Sequence, residues 1–211
     1  MLFKRTILTL LLSALSFSSF AQDDFKLNLR VTNRNAYVSS IHFNSRNLTV
    51  YLDPRGHVLQ AYEGGFNDYY DTLNDEGKVN VDSLPETKYY DRFDSAELQG
   101  KIKSMAGLSI TYYDRFDFKE LQGKIKSIGN VNFTYYDRFD YDELRGKIKS
   151  IGAINLSYHN RFDYDELKGK LKQIGNTKIA YYDRFDGGFE KGRVKNVSGG
   201  TVNVIWRNRD L

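Results

Sequence analysis

The chain has 211 residues, with no cysteine, two prolines, and 31 lysines and arginines against 27 aspartates and glutamates. That composition excludes disulfide stapling and anchoring through a lipidated cysteine, so stability must come from packing and hydrogen-bonded ladders. The net charge of +4 is too small to predict a nucleic-acid partner, and none is expected.

Residues 1–21 have the order of a signal peptide: Lys4 and Arg5, an apolar run from Ile7 to Phe17, then Ser19-Phe20-Ala21 with cleavage after Ala21. The run is too short to span a bilayer, and no later stretch approaches the roughly 20 apolar residues that spanning requires. The mature chain is therefore expected to be exported, in the periplasm, at the outer membrane or outside the cell, without a transmembrane segment. Loss of Lys4 and Arg5 leaves 29 basic against 27 acidic residues, close to neutrality.

Residues 22–65 read as a β-rich N-terminal cap continuous with the array of repeats after it. Leu27, Leu29 and Val31 alternate, and Leu48 to Leu52 meets Asp53-Pro54-Arg55-Gly56 and then His57-Val58-Leu59, a strand, a turn and a strand.

Residues 66–211 form a tandem array. Tyr89-Tyr90-Asp91-Arg92-Phe93-Asp94 begins again at Tyr112, Tyr135, Tyr158 and Tyr181, a step of 23 residues each time. Each full unit continues as in Glu120-Leu121-Gln122-Gly123-Lys124-Ile125-Lys126, then Ser127-Ile128-Gly129-Asn130. A worn unit precedes these, with Asp68, Asp71 and Gly77 in register, and Thr201 to Trp206 closes the chain as a capping run.

Within a unit, Val131, Phe133, Tyr135 and Phe139 fall on alternate positions and predict a strand over Val131 to Phe139. The second half admits a helix, because Asp117 and Glu120 form a capping box and Leu121, Ile125 and Ile128 follow at helical spacing. Two features favour a strand. Gly100, Gly123, Gly146 and Gly169 would sit inside that helix at about 1 kcal/mol each relative to alanine. The last unit replaces the helix start with Gly187-Gly188 and continues Arg193-Val194-Lys195-Asn196-Val197, which suits a strand. The expected fold is all-β, an antiparallel β-meander or β-shell of two-strand repeats, with a strand-helix solenoid as the alternative. Gly129-Asn130 is then a two-residue hairpin turn, and the spacing of three between Ile125 and Ile128 calls for a bulge or twist.

The Tyr-x-Asp-x-x-Gly turn at Tyr51 to Gly56 and the tyrosine-aspartate unit openings resemble the tyrosine-aspartate repeats of large secreted bacterial β-shell proteins. The period and tyrosine-rich strands are also similar to MORN repeats, although the glycine-tryptophan positions of that pattern are absent. Over residues 66–206 the Tyr-Asp-Arg-Phe units with Gly-Lys-Ile-Lys-Ser-Ile-Gly between them resemble uncharacterised exported proteins of Gram-negative bacteria. That resemblance implies no activity.

Candidate ligand-binding residues are the aromatic and guanidinium pairs Tyr90 and Arg92, Tyr113 and Arg115, Tyr136 and Arg138, Tyr182 and Arg184, together with Arg161. Two residues apart, each pair is expected on one strand face. Such a row could stack on sugars or clamp anionic groups, or it could simply stabilise the sheet through cross-strand pairs. Asp137, Asp140, Asp142 and Glu143, and likewise Asp163, Asp165 and Glu166, gather hard oxygen ligands suited to calcium. Their spacing matches no calcium loop, Ser95, Ala96 and Gly187 interrupt the series, and no metal or other cofactor is assigned. His42, His57 and His159 show no ligand spacing and are expected at the surface. Catalysis needs one cleft with unlike carboxyl environments, whereas this chain repeats one environment, and His159-Asn160 replaces a Tyr-Asp pair in one unit. The sequence therefore predicts a non-enzymatic structural or binding surface at the cell envelope, its partner a polysaccharide, a lipid or a protein. A glycan- or lipid-binding module and a calcium-stabilised repeat are the alternatives.

Overall fold

The computed structural model of the protein describes residues 25–45, 48–63, 86–188 and 190–207. The leader and the worn unit as far as Pro85 lie outside the described residues. The fold is all-β, with no α-helix among the described residues and one 3-10 turn at Asp142–Leu144. Ten strands form an antiparallel meander in strict chain order: β5 (Lys88–Tyr89), β6 (Ile102–Met105), β7 (Leu108–Tyr112), β8 (Ile125–Ile128), β9 (Val131–Tyr135), β10 (Ile148–Ile151), β11 (Ile154–Tyr158), β12 (Leu171–Ile174), β13 (Thr177–Tyr181) and β14 (Val194–Ser198). A second sheet holds β1 (Phe25–Val31), β2 (Ala36–Ser45), β3 (Leu48–Leu52) and β4 (Val58–Glu63). Its other edge is β15 (Asn203–Trp206), parallel to β1.

Each unit supplies two strands because its apolar spacing of three is accommodated by a bulge. In β8, Ile125 faces Tyr112 and Ser127 faces Thr111, so Lys126 has no partner across the ladder. The same shift recurs where β5, β9, β11 and β13 meet the next strand. A bulge adds one residue and turns the strand. Ile125 and Ile128 consequently point the same way and are both fully buried, while Lys126 points out. The hairpin at Gly129-Asn130 forms as the sequence predicts, with Gly129 at φ +55°.

The connection that could have been helical is two successive turns. Leu121 N–H donates to Phe118 O and Lys124 N–H to Leu121 O, and Gly123 then donates to Tyr113 O at 2.8 Å while Tyr113 donates to Lys124 O. Gly123 at φ +76° makes that return possible. The strand-helix solenoid is thereby excluded.

Units join through tyrosine. Tyr112, Tyr135 and Tyr158 each meet edge-to-face the second tyrosine of the preceding unit, Tyr90, Tyr113 and Tyr136, at 5.8 Å, and His159 takes that place against Tyr181. The preceding tyrosine also reaches across: the Tyr113 hydroxyl donates to Phe133 O at 2.9 Å and Tyr136 to Leu156 O at 3.0 Å.

The N-terminal sheet packs against the array in one shared core. Leu29, Val31, Ile41, Val50 and Leu52 meet Ile110, Ile125, Ile128, Ile151 and Ile174, each such side chain contributing about 1.5–3 kcal/mol on burial. Gly56 lies against Ile125 and the Tyr112 hydroxyl, and Val194 N–H donates to Asn33 O.

Two expectations are corrected, and the continuity of the N-terminal cap with the array, which turns on residues 64–85, lies outside the described residues. The strand ends at Tyr135 rather than Phe139, because Asp137 turns the chain. Among the described residues the N-terminal strands pair with one another and, at the β1 edge, with β15. His42 is buried, 2% exposed, bonded to Ser40 and 3.8 Å from the Tyr51 ring.

Gly199, at φ +110°, has no room for a Cβ against the Asn176 backbone, whereas Gly200 next to it is open. Gly199→Ala should cost more than about 1 kcal/mol and Gly200→Ala less than about 0.5 kcal/mol, read as the difference between their thermal midpoints. Burial pushes the hydroxyls of Tyr112, Tyr135, Tyr158 and Tyr181 well above the ordinary value of 10.0. A raised folded-state value contributes stability below pH 10 that is lost as pH rises toward it. An alkaline titration should show tyrosinate absorbance from these residues appearing together with loss of the β-sheet circular dichroism signal.

Candidate functional site

The Tyr-Asp-Arg-Phe segment is a tight turn held by its own aspartates. Asp114 Oδ1 accepts the Phe116 N–H at 2.9 Å, Asp117 Oδ2 accepts the Asp114 N–H at 2.9 Å, and Asp117 N–H donates to Asp114 O. All five units repeat this. In the fourth, Asn160 Oδ1 still accepts the Phe162 N–H at 2.9 Å, which is why asparagine can replace aspartate there. A side chain bonding to the backbone two residues on is the ordinary means of fixing such a turn.

The turn separates the residues that the sequence pairs. Tyr90, Tyr113 and Tyr136 go inward to the unit joints, and with Tyr182 they lie beneath Lys103, Lys126, Lys149 and Lys195, 4.9 to 5.2 Å from ring centre to ammonium. Arg92, Arg115, Arg138, Arg161 and Arg184 stay exposed. The expectation of one shared strand face is therefore corrected, since the pair lies past the strand end in a turn that sends the two side chains apart.

What the arginines do share a surface with is phenylalanine. Phe93, Phe116, Phe139, Phe162 and Phe185 stand at the five turn tips with 79–83% of their surface exposed. Arg92 and Arg115 lie over the rings of Phe93 and Phe116 at 4.8 and 5.0 Å. Further along, Phe118, Tyr141 and Tyr164 meet the next unit's Phe139, Phe162 and Phe185 edge-to-face, and Arg138, Arg161 and Arg184 cover the former at 4.1, 4.8 and 4.5 Å. Arg161 and Arg184 also face Glu143 and Glu166 of the preceding unit at 3.6 and 3.9 Å. A notch of about 350 Å³ between the second and third turns is lined by Phe116, Asp117, Phe118 and Asp137. Alternating two strands per unit sets a step of about 9.5 Å along this ridge.

Periodicity missed these phenylalanines because it ran Phe139 into the strand, in alternation with Val131, Phe133 and Tyr135, where the chain has already turned. The usable signal was their presence in all five turns, including the one where tyrosine and aspartate are replaced.

The acidic residues are already engaged. Besides accepting backbone N–H groups, Asp94, Asp117, Asp140 and Asp186 pair with the bulge lysines Lys103, Lys126, Lys149 and Lys195, and Asp142 pairs with Arg145. Among the described residues no three acidic or histidine side chains converge as a metal site.

Comparison with protein-family models, with curated proteins and with solved structures finds no match to this chain.

Burial would raise Asp163, but the Asn160 N–H and His159 beside it prevail and hold its carboxyl below the usual range. The Lys195 hydrogen bond, with the Asp183 N–H, does the same for Asp186. A depressed folded-state value contributes stability above the unfolded value, near 3.9, that is lost as pH falls through the folded one. The thermal midpoint should therefore decline as pH falls below about 4, and Asp163→Asn with Asp186→Asn should lower it at neutral pH and flatten the acid limb.

Proposed function

We propose that this chain is a non-catalytic, exported repeat scaffold that lies against an anionic lipid surface of the cell envelope through its phenylalanine-arginine ridge. The observation that carries the reading is the row of five phenyl rings, each 79–83% exposed at an equivalent turn tip. A sheet needs none of them for its own core. Exposed apolar groups repeated in a line are the usual mark of an interaction surface.

A lipid interface suits the ridge better than a glycan. Arginine already covers a face of Phe93 and Phe116, which leaves ring edges free for insertion rather than faces free for stacking on sugars. The guanidinium groups beside them match phosphate oxygens. Covering a single ring contributes about 1.5–3 kcal/mol at most, so rigid repetition supplies the avidity that one turn lacks. The mature charge is nearly balanced, so attraction depends on where the arginines stand.

Phe139→Ser with Phe162→Ser should weaken co-sedimentation with phosphatidylglycerol-containing vesicles by about tenfold or more, while the loss of their edge-to-face contacts lowers the thermal midpoint by only a few degrees. Arg138→Gln with Arg161→Gln should weaken binding to those vesicles and not to phosphatidylcholine vesicles. Unchanged binding in the phenylalanine variant would make the array a structural spacer. Tyr136→Ala, by contrast, should lower the thermal midpoint, because its hydroxyl and ring serve the joint.

A further inference from the structure

A second surface of the array is cationic and recessed. A groove of about 650 Å³ runs between the start of β2 at residues 35–37 and the 54–57 turn of the N-terminal sheet on one side and the repeat glycines Gly123, Gly146 and Gly169 on the other. Lys101, Lys124, Lys147, Lys170 and Arg55 line it, and no aspartate or glutamate does among the described residues. The four lysines are equivalent residues of successive units, so their step along the groove is again about 9.5 Å.

The lysines are held in place. Their ammonium groups lie 5.1, 5.5, 5.4 and 5.2 Å over the rings of Tyr112, Tyr135, Tyr158 and Tyr181. Lys170, at the end of the row, also donates to the carbonyls of Arg34 and Gly192 at 2.6 and 2.7 Å. The glycines make room for the lysines, since a Cβ at Gly146 would come within 3.4 Å of Lys124 Cε. These four lysines contrast with the bulge lysines Lys103, Lys126, Lys149 and Lys195, which have aspartate partners. Among the described residues, no ion pair includes Lys101, Lys124, Lys147 or Lys170. Burial, and then Arg55, pushes Lys124 below its ordinary value, and burial with Arg34 does so for Lys170. Like charges have been crowded into a half-enclosed site, and a bound anion would relieve them.

We propose that this groove binds a linear polyanionic polysaccharide, with one carboxylate or sulfate group set against each lysine step. The evenly spaced cations suit an extended chain carrying an acidic group on every second sugar ring. A free phosphate would call for convergent donors instead of a column. A bilayer cannot enter between the two walls of turns. Single-stranded nucleic acid needs open aromatic faces for its bases, but Tyr135 and Tyr158 lie under lysines, and Tyr37, 46% exposed, is the one exposed tyrosine among the described lining residues.

Binding of the purified chain to hyaluronate and to heparosan, linear polysaccharides with a carboxylate on every second ring, tests this at near-physiological ionic strength, with uncharged dextran, inorganic phosphate and oligodeoxythymidylate alongside. Lys124→Gln with Lys147→Gln should weaken binding to one or both polyanions about tenfold, and Lys126→Gln with Lys149→Gln, which removes the same charge outside the groove, less than about twofold. Lys124→Arg with Lys147→Arg should bind like the unaltered chain, which separates loss of charge from loss of fold. Phe139→Ser with Phe162→Ser should bind normally, so failure of the ridge reading leaves this one standing. Equal losses in the two glutamine pairs, equal or tighter binding of the oligonucleotide, competition by inorganic phosphate at matched charge, or no binding to either polysaccharide would overturn the proposal.

Discussion

The unpaired lysine in each returning strand is the constraint on which the rest of the array depends. A regular strand would put Ile125 and Ile128 on opposite faces, since three residues separate them. With Lys126 bulged out of the ladder, both isoleucines reach the core. The same displacement carries the lysine over Tyr113 and toward Asp117. One irregularity thus serves burial, unit-to-unit packing and the adjoining turn.

Because every unit solves the problem identically, side chains line up into columns with different fates. From the second unit on, the first tyrosine is buried or half-buried at the joint, the tyrosine or histidine after it is half-buried beside it, and the phenylalanine beyond two further turn residues is left in solvent. On the other side of the joint, the lysine after the repeat glycine is held over a tyrosine ring with no acidic partner among the described residues. A cationic groove and an aromatic ridge arise from the same 23 residues, separated by the tyrosines between them. In such a stack a single weak contact is multiplied by the number of units, without any new geometry.

The N-terminal sheet covers one face of this linear array. Its apolar side chains join those of the array in a single core, and its turns form a wall of the groove. The C-terminal segment folds Gly199 and Thr201 onto the Asn176 turn, where Asn176 N–H donates to Thr201 Oγ1, before β15 joins β1. First and last strands are thereby tied together, and the array is fastened at the end farthest from β5.

Much was legible in the residues alone. The period, the two-strand unit, the Gly129-Asn130 turn and a distortion near Ser127 follow from local chemistry: glycine where φ is positive, alternation where one face is buried, and a spacing of three that no regular strand allows. The outward phenylalanines were hidden because alternation continues on paper past the point where Asp137 captures a backbone N–H and ends the strand. His42 looked like a surface residue because Tyr51, whose ring packs on it, becomes its neighbour only when β2 pairs with β3. The parallel ladder between β1 and β15 joins residues at opposite ends of the chain, and no local pattern signals it. What the sequence by itself determined was the repeating unit, since each of its turns and strands is decided within some 23 residues. Only the tertiary structure decided which side chains share a surface, because the groove and the ridge exist only once neighbouring units stack and the N-terminal sheet covers one face.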